Sequence, residues 1–336
     1  MSIMKLRLWL ILISFLALAF RMPAQEWHQD ILGNGFEYCT VQHPSDYSGP
    51  VRSSVIRKLS PSADGKAVLY VHGFNDYFFQ SEMADRFVAQ GYNFYAVDLR
   101  KYGRSIMPGQ HLFEVRNLKE YFADVDSALK YIRHERNYKI ILMGHSTGGL
   151  IASYYMALNQ AAPVDALVLN SPFLDWNLGW KECMIPVVSA IGAVFPNISI
   201  SQGDSEVYGS SLLKGKHGEW SFNTDWKLPQ SPDVTSGWIR AITVAQDYLH
   251  HHKYQINVPI LLMFSAQSSN SNDWTPETQH TDAVLDVKDI YKYGVTLGHN
   301  VKPVVVKGGL HDLVLSAPGV RSSVYKYLFK WLQNVE

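Results

Sequence analysis

Six short runs dominated by Val, Ile, Leu and aromatic residues recur along this chain: Lys66–Val71, Asn93–Leu99, Ile140–Met143, Ala166–Leu169, Pro259–Phe264 and Val301–Val306. Each is apolar at nearly every position rather than at alternate ones, as a strand buried on both faces requires. Helical stretches separate several of them. Ser81–Gln90 reads as a helix closed by Gly91, Lys119–Arg136 carries Tyr121, Phe122, Val125, Leu129 and Ile132 at helical spacing, and Gly149–Leu158 has helical composition. Strands of this kind alternating with helices specify an α/β chain with a mostly parallel sheet covered on both faces. Such sheets place their sites beyond the carboxyl ends of the strands. A length of 336 residues supplies a core that needs no disulfide or metal to fold. With 47% hydrophobic and 18% charged residues the chain is not a disordered one, and zero net charge excludes the basic footprint of a nucleic-acid binder.

The alternation stops between Ser171 and Val258. That stretch holds five of the nine tryptophans, Trp176, Trp180, Trp220, Trp226 and Trp238. A loop so long is functional or disordered, and its aromatic content argues for a folded cap, at about 172–257, over the strand ends. His250-His251-His252 reads as a solvated helix face. Cys39 and Cys183 show no metal-type spacing, and two distant cysteines leave pairing and free thiols equally open. No metal or cofactor is expected.

The chain begins with Lys5 and Arg7, followed by an apolar run of 13 residues from Leu8 to Phe20. About 20 residues are needed to span a bilayer, so the run fits the apolar region of a secretory signal peptide. Residues 1–24 are read as that signal, cleaved after Ala24 or, second, after Ala19, with 25–336 as the exported domain in the periplasm or outside the cell. An uncleaved N-terminal anchor is the alternative. Loss of residues 1–24 removes Lys5, Arg7 and Arg21 and no acid, leaving a chain of net charge −3.

The run Ile140–Met143 leads into Gly144-His145-Ser146-Thr147-Gly148, a G-x-S-x-G pattern between strand and helix. A sharp strand-to-helix turn leaves no room for side chains beside the serine and lifts its hydroxyl into the open. A serine hydroxyl needs a base within hydrogen-bond reach, and in this architecture the chain order is nucleophile, acid, histidine. His311, in Gly308-Gly309-Leu310-His311-Asp312 directly after the last strand, is the expected base. His299 precedes that strand, at the wrong end of the sheet, and His280 fits less well. The acid should follow Pro259–Phe264. Asp282 is favoured, with Asp286, which also suits a helix cap, and Asp273 as alternatives. Two backbone N–H groups should hold the oxyanion, those of Thr147 and Phe74.

Together His72-Gly73-Phe74, Asp98-Leu99-Arg100-Lys101-Tyr102-Gly103-Arg104-Ser105, Gly144–Gly149 and Gly309-Leu310-His311-Asp312 resemble, in order and from about residue 50 to 335, the α/β-hydrolase superfamily. Within it the chain is similar to the branch of monoacylglycerol lipases, lysophospholipases and serine aminopeptidase-like hydrolases. The resemblance implies that Asp282-Ala283-Val284-Leu285-Asp286 is the family's D-x-x-x-[DP] acid pattern, although Ser265–Thr281 stands between strand and acid where the family has a few residues. It implies a serine hydrolase cleaving carboxylic esters through an acyl-enzyme. An apolar acyl group suits the aromatic cap, in a monoacylglycerol or lysophospholipid met by transient contact with a membrane surface. Aminopeptidase, cofactor-free haloperoxidase or C–C hydrolase chemistry, or a non-catalytic binding role on the same fold, are the alternatives.

Overall fold

The computed structural model describes residues 26–203, 205–271 and 273–335. In chain order its strands are β1 (His28–Gln29), β2 (Glu37–Asp46), β3 (Gly49–Lys58), β4 (Lys66–Val71), β5 (Asn93–Asp98), β6 (Lys139–His145), β7 (Ala166–Asn170), β8 (Ser199–Ile200), β9 (Val234–Thr235), β10 (Ile260–Ser265) and β11 (Val301–Val306). The helices are α1 (Ser81–Ala89), α2 (Phe122–His134), α3 (Thr147–Leu158), α4 (Ile185–Val194), α5 (Val207–Leu212), α6 (Ser236–His251), α7 (Val287–Gly294) and α8 (Pro318–Val335). The main sheet runs β1-β2-β3-β5-β4-β6-β7-β10-β11. It is parallel from β5 through β11, while β1, β2 and β3 pair antiparallel at one edge, β3 joining β5.

The continuous apolar runs are explained by two cores, one on each face. Along β4, Ala67, Leu69 and Val71 join the core under α2, α3 and α6. Val68 and Tyr70 join the opposite core, with Met83 and Phe87 of α1 and Val324 and Leu328 of α8. Side chains alternate across a strand, so both sets must be apolar once helices cover both faces.

The edge hairpin β2–β3 was not read from the sequence. Its residues are only partly buried along β2, so polar and apolar positions mix there and no continuous run forms. Four ion pairs on three buried cations secure the layers behind it: Arg104 with Asp30 and Asp98, Arg100 with Asp124, and Lys101 with Asp46. They account for the conspicuous Asp98–Ser105 stretch as architecture.

Between β7 and β10 lie α4, α5, the small β8–β9 pair and α6. Helix α6 starts with Thr235 Oγ1 accepting from the Trp238 amide and packs against α3, so it is also the crossover helix that returns the chain to the sheet. His250 departs from the solvated face expected of it. It is half-buried, bonded through Nε2 to the Leu174 carbonyl at 2.7 Å and stacked on Tyr293, whereas His251 and His252 are exposed. Cys39 is buried in β2 and Cys183 is exposed, and both are free thiols; burial pushes the Cys39 thiol up to about 12. Among the described residues no helix is long and apolar enough to cross a membrane, and no group of acids, histidines and cysteines could hold a metal ion. The apolar run Leu8–Phe20 and the cleavage sites after Ala24 and Ala19 lie outside the described residues.

Candidate active site

Strand β6 ends at His145, and α3 begins at Thr147. Ser146 alone makes the turn, at φ 52° and ψ −119°, a region that side chains avoid. Its strain is held by backbone bonds on both sides. The Ser146 amide donates to the Asn170 carbonyl at the end of β7, and its own carbonyl accepts from the Leu150 and Phe173 amides. The two flanking glycines are required by contact. A Cβ on Gly148 would overlap the Val71 and His72 carbonyls, and one on Gly144 would overlap the backbone of Gly148.

His311 lies five residues beyond β11. Its Nε2 is 2.9 Å from Ser146 Oγ, and its Nδ1 is 2.8 Å from Asp282 Oδ2. The other carboxylate oxygen of Asp282 accepts the Val284 and Leu285 amides at 2.9 and 2.8 Å, so a fully buried charge is satisfied from both sides. Asp282 is far from β10 in sequence but adjoins it in space. Its amide donates to the Gln267 carbonyl, and its carbonyl accepts from the Ser269 amide, a bridge that returns the chain to the strand end after an excursion. The residues between Ser269 and Asp282 are therefore a loop hung outside an otherwise short strand-to-acid connection.

The alternatives fall elsewhere. Asp286 caps α7, accepting from the Lys288 amide at 2.9 Å. Asp273 is exposed in the excursion, and His280 is exposed as well. His299 is exposed and stacks on Tyr254 at the far end of β11. Phe74 and Thr147 both line the cavity that contains Ser146 and His311. Thr147 opens α3, where backbone N–H groups point out of the helix end. A methyl placed on Gly73 would stand 3.1 Å from Ser146 Cβ, so the turn carrying Phe74 crowds the serine. The Phe74 ring is wedged between Phe113 and Trp238.

The cavity holds about 270 Å³. Its lining includes the apolar side chains of Phe173, Trp176, Leu178 and Trp238 and the polar ones of Asn75, Asp76 and Lys227. This arrangement can take a proton from the serine hydroxyl onto Nε2 while the carboxylate faces the imidazolium that results.

The family model described as "Serine aminopeptidase, S33" matches residues 63–272, more than half of the chain. The chain belongs to this family. Among curated relatives, a probable lysophospholipase L2 of Haemophilus influenzae is 26% identical over 84% of this chain and 86% of its own length. A monoacylglycerol lipase of Mycolicibacterium smegmatis is 27% identical over 44% of this chain; the match spans about half, 52%, of that lipase. Among solved structures, a soluble variant of monoglyceride lipase from Saccharomyces cerevisiae superposes with a TM-score of 0.66 at 14% identity, covering 94% of this chain and 98% of the yeast one. A thermostable carboxyl esterase from Bacillus coagulans gives 0.67 at 14% identity, over 89% and 98%. These likenesses establish the α/β-hydrolase fold.

Around its candidate triad this S33-family chain carries support that sequence reading missed. Asn170 Nδ2 donates to Asp312 at 2.7 Å, and its Oδ1 accepts the Leu313 amide. Gln80 Nε2 donates to the other oxygen of Asp312, and the Asp312 amide donates to Tyr208 Oη. The Tyr208 and His145 rings flank the His311 ring at 5.4 and 4.8 Å. Burial holds the His145 imidazole below its ordinary value, with Asp312 opposing the effect and His311 adding to it. Asp312 sat beside the predicted base and Asn170 at a strand end, which is a usable signal. Gln80 and Tyr208 carried none.

Proposed function

We propose that the protein is a serine esterase that cleaves amphipathic carboxylic esters with an apolar acyl chain, of the monoacylglycerol or lysophospholipid kind. Ser146 Oγ attacks the ester carbonyl as His311 Nε2 takes its proton. The Thr147 and Phe74 amides hold the oxyanion, and His311 returns the proton to the leaving alcohol. Water then attacks the acyl-enzyme by the same route. The observation that carries this reading is the unbroken chain Ser146–His311–Asp282, at 2.9 and 2.8 Å, opening into a half-apolar cavity. The names of the Haemophilus and Mycolicibacterium relatives support the choice of substrate.

A fluorophosphonate probe should label the wild type once and leave Ser146→Ala unlabelled, with ester turnover lost in parallel. Equal labelling of both proteins, or turnover of amides but of no ester across a chain-length series, would overturn the reading. Export is part of the same proposal. Lys5, Arg7 and the apolar run Leu8–Phe20 support a cleaved signal, and the intact mass of the exported protein should correspond to a chain starting at Gln25. A mass retaining residues 1–24 would favour an anchor.

A further inference from the structure

Phe74 is followed by two residues with no place in the mechanism, and both are gripped by the inserted segment. Asn75 adopts φ 48°, and its side chain behaves as a strand edge. Nδ2 donates to the Leu228 carbonyl at 2.9 Å, and Oδ1 accepts the Leu228 amide at 2.8 Å. Next to it, Asp76 Oδ1 lies 3.0 Å from Lys227 Nζ, with both side chains buried. The ammonium is surrounded by the rings of Phe79, Tyr208 and Phe222 at 5.7–5.8 Å. The partners are separated by more than 150 positions of chain, and all four line the cavity that holds Ser146.

Stability is a poor explanation for such a pair. Desolvating two charges offsets most of their attraction, and apolar residues of the same volume commonly do as well. A buried ion pair beside a two-bond side-chain-to-backbone clasp does fix one geometry. Fixed geometry is what an oxyanion donor requires, because donors act by being preorganised to within about 0.5 Å. The turn after β4 belongs to no helix or strand at this point, so nothing regular holds the Phe74 peptide from its far side. We propose that Asn75, Asp76 and Lys227 are positioning residues for the Phe74 amide, and that the inserted segment thereby sets the oxyanion hole as well as covering the cavity. This rests on Phe74 being an oxyanion donor, as in the function proposed above.

Two variants test it on a dissolved short-chain ester. Asn75→Gly keeps the left-handed backbone and removes both bonds to Leu228. The double variant Asp76→Asn with Lys227→Met removes both charges and leaves neither buried alone. Loss of a whole donor costs about 100-fold or more in kcat, so a misplaced one should lower kcat about 10-fold. KM should stay within about twofold, and affinity for a trifluoromethyl ketone, whose adduct oxygen sits in the hole, should fall by about the same factor as kcat. A folded variant with kcat and ketone affinity within about twofold of wild type would overturn the proposal, and so would a loss confined to KM. Fluorophosphonate labelling of the wild type separates the two levels. If Ser146 is labelled and the variants keep their ketone affinity, only the clasp fails; if Ser146 is not labelled, the function beneath it fails.

Discussion

Asp273, Asp282 and Asp286 are the same side chain in one short stretch, and their surroundings give them different work. Asp282 faces His311 Nδ1 with its remaining oxygen on two amides, while Asp286 spends its carboxylate on the first turn of α7. Replacing Asp282 by Asn keeps the volume but offers the imidazole a donor where it needs an acceptor, so kcat should drop about 10,000-fold with the fold intact. Asp286→Ala should instead cost about 1 kcal/mol of stability and leave turnover near wild type. Steady-state kinetics beside thermal melts of the two variants check this; a comparable kcat loss in Asp286→Ala would reverse the assignment. The acid could be narrowed to three positions from sequence because it had to follow a particular strand. Choosing among them needed the bridge from Asp282 to Gln267 and Ser269, a contact between segments that no local pattern encodes.

At the scale of elements, legibility followed burial. β4 begins and ends where its apolar run does, and β5, β6, β7 and β10 depart from theirs by a few residues at most, because strands pressed between two cores leave no polar positions to blur them. β11 also matches its run, although it is the sheet's other edge strand, with Lys302 and Val305 exposed and Val306 buried. The strand-to-helix turn at Ser146 was equally plain, since only glycine fits beside the carbonyls of Val71 and His72. The β2–β3 hairpin escaped for the opposite reason. It lies at an edge of the sheet, its outer positions meet water, and its interior pattern is interrupted by Arg57, Arg52 and His43, each of which finds a partner only in the folded chain. In the inserted segment α5 and the β8–β9 pair are too short to show a period at all.

For the whole molecule, exposed apolar surface gathers on one stretch. Trp180 is 80% exposed, Val194 70% and Phe195 63%, with Met184, Val187 and Ile191 beside them in sequence, and the stretch continues from Leu178 at the cavity wall. Contiguous apolar exposure of this kind marks a contact surface. Under the function proposed above, this face would meet a lipid–water interface, since a substrate leaving a bilayer would then enter the cavity without crossing water. Trp180→Ser combined with Phe195→Ser should lower turnover of a long-chain monoester in phospholipid vesicles at least about fivefold, since burying each aromatic in the interface contributes on the order of 1.5–3 kcal/mol. Turnover of a dissolved short-chain ester should not change. Equal losses on both substrates would show that the face supports the fold instead. The sequence alone determined the layered sheet and the strained serine turn, because backbone sterics and two-sided burial act within a few residues of each other. Tertiary structure alone decided which aspartate meets the histidine, how Asn170, Gln80 and Tyr208 brace it, and that Lys227 and Leu228 grip the turn behind Phe74. Those choices depend on distances between segments up to 232 positions apart, and only the closed chain sets them.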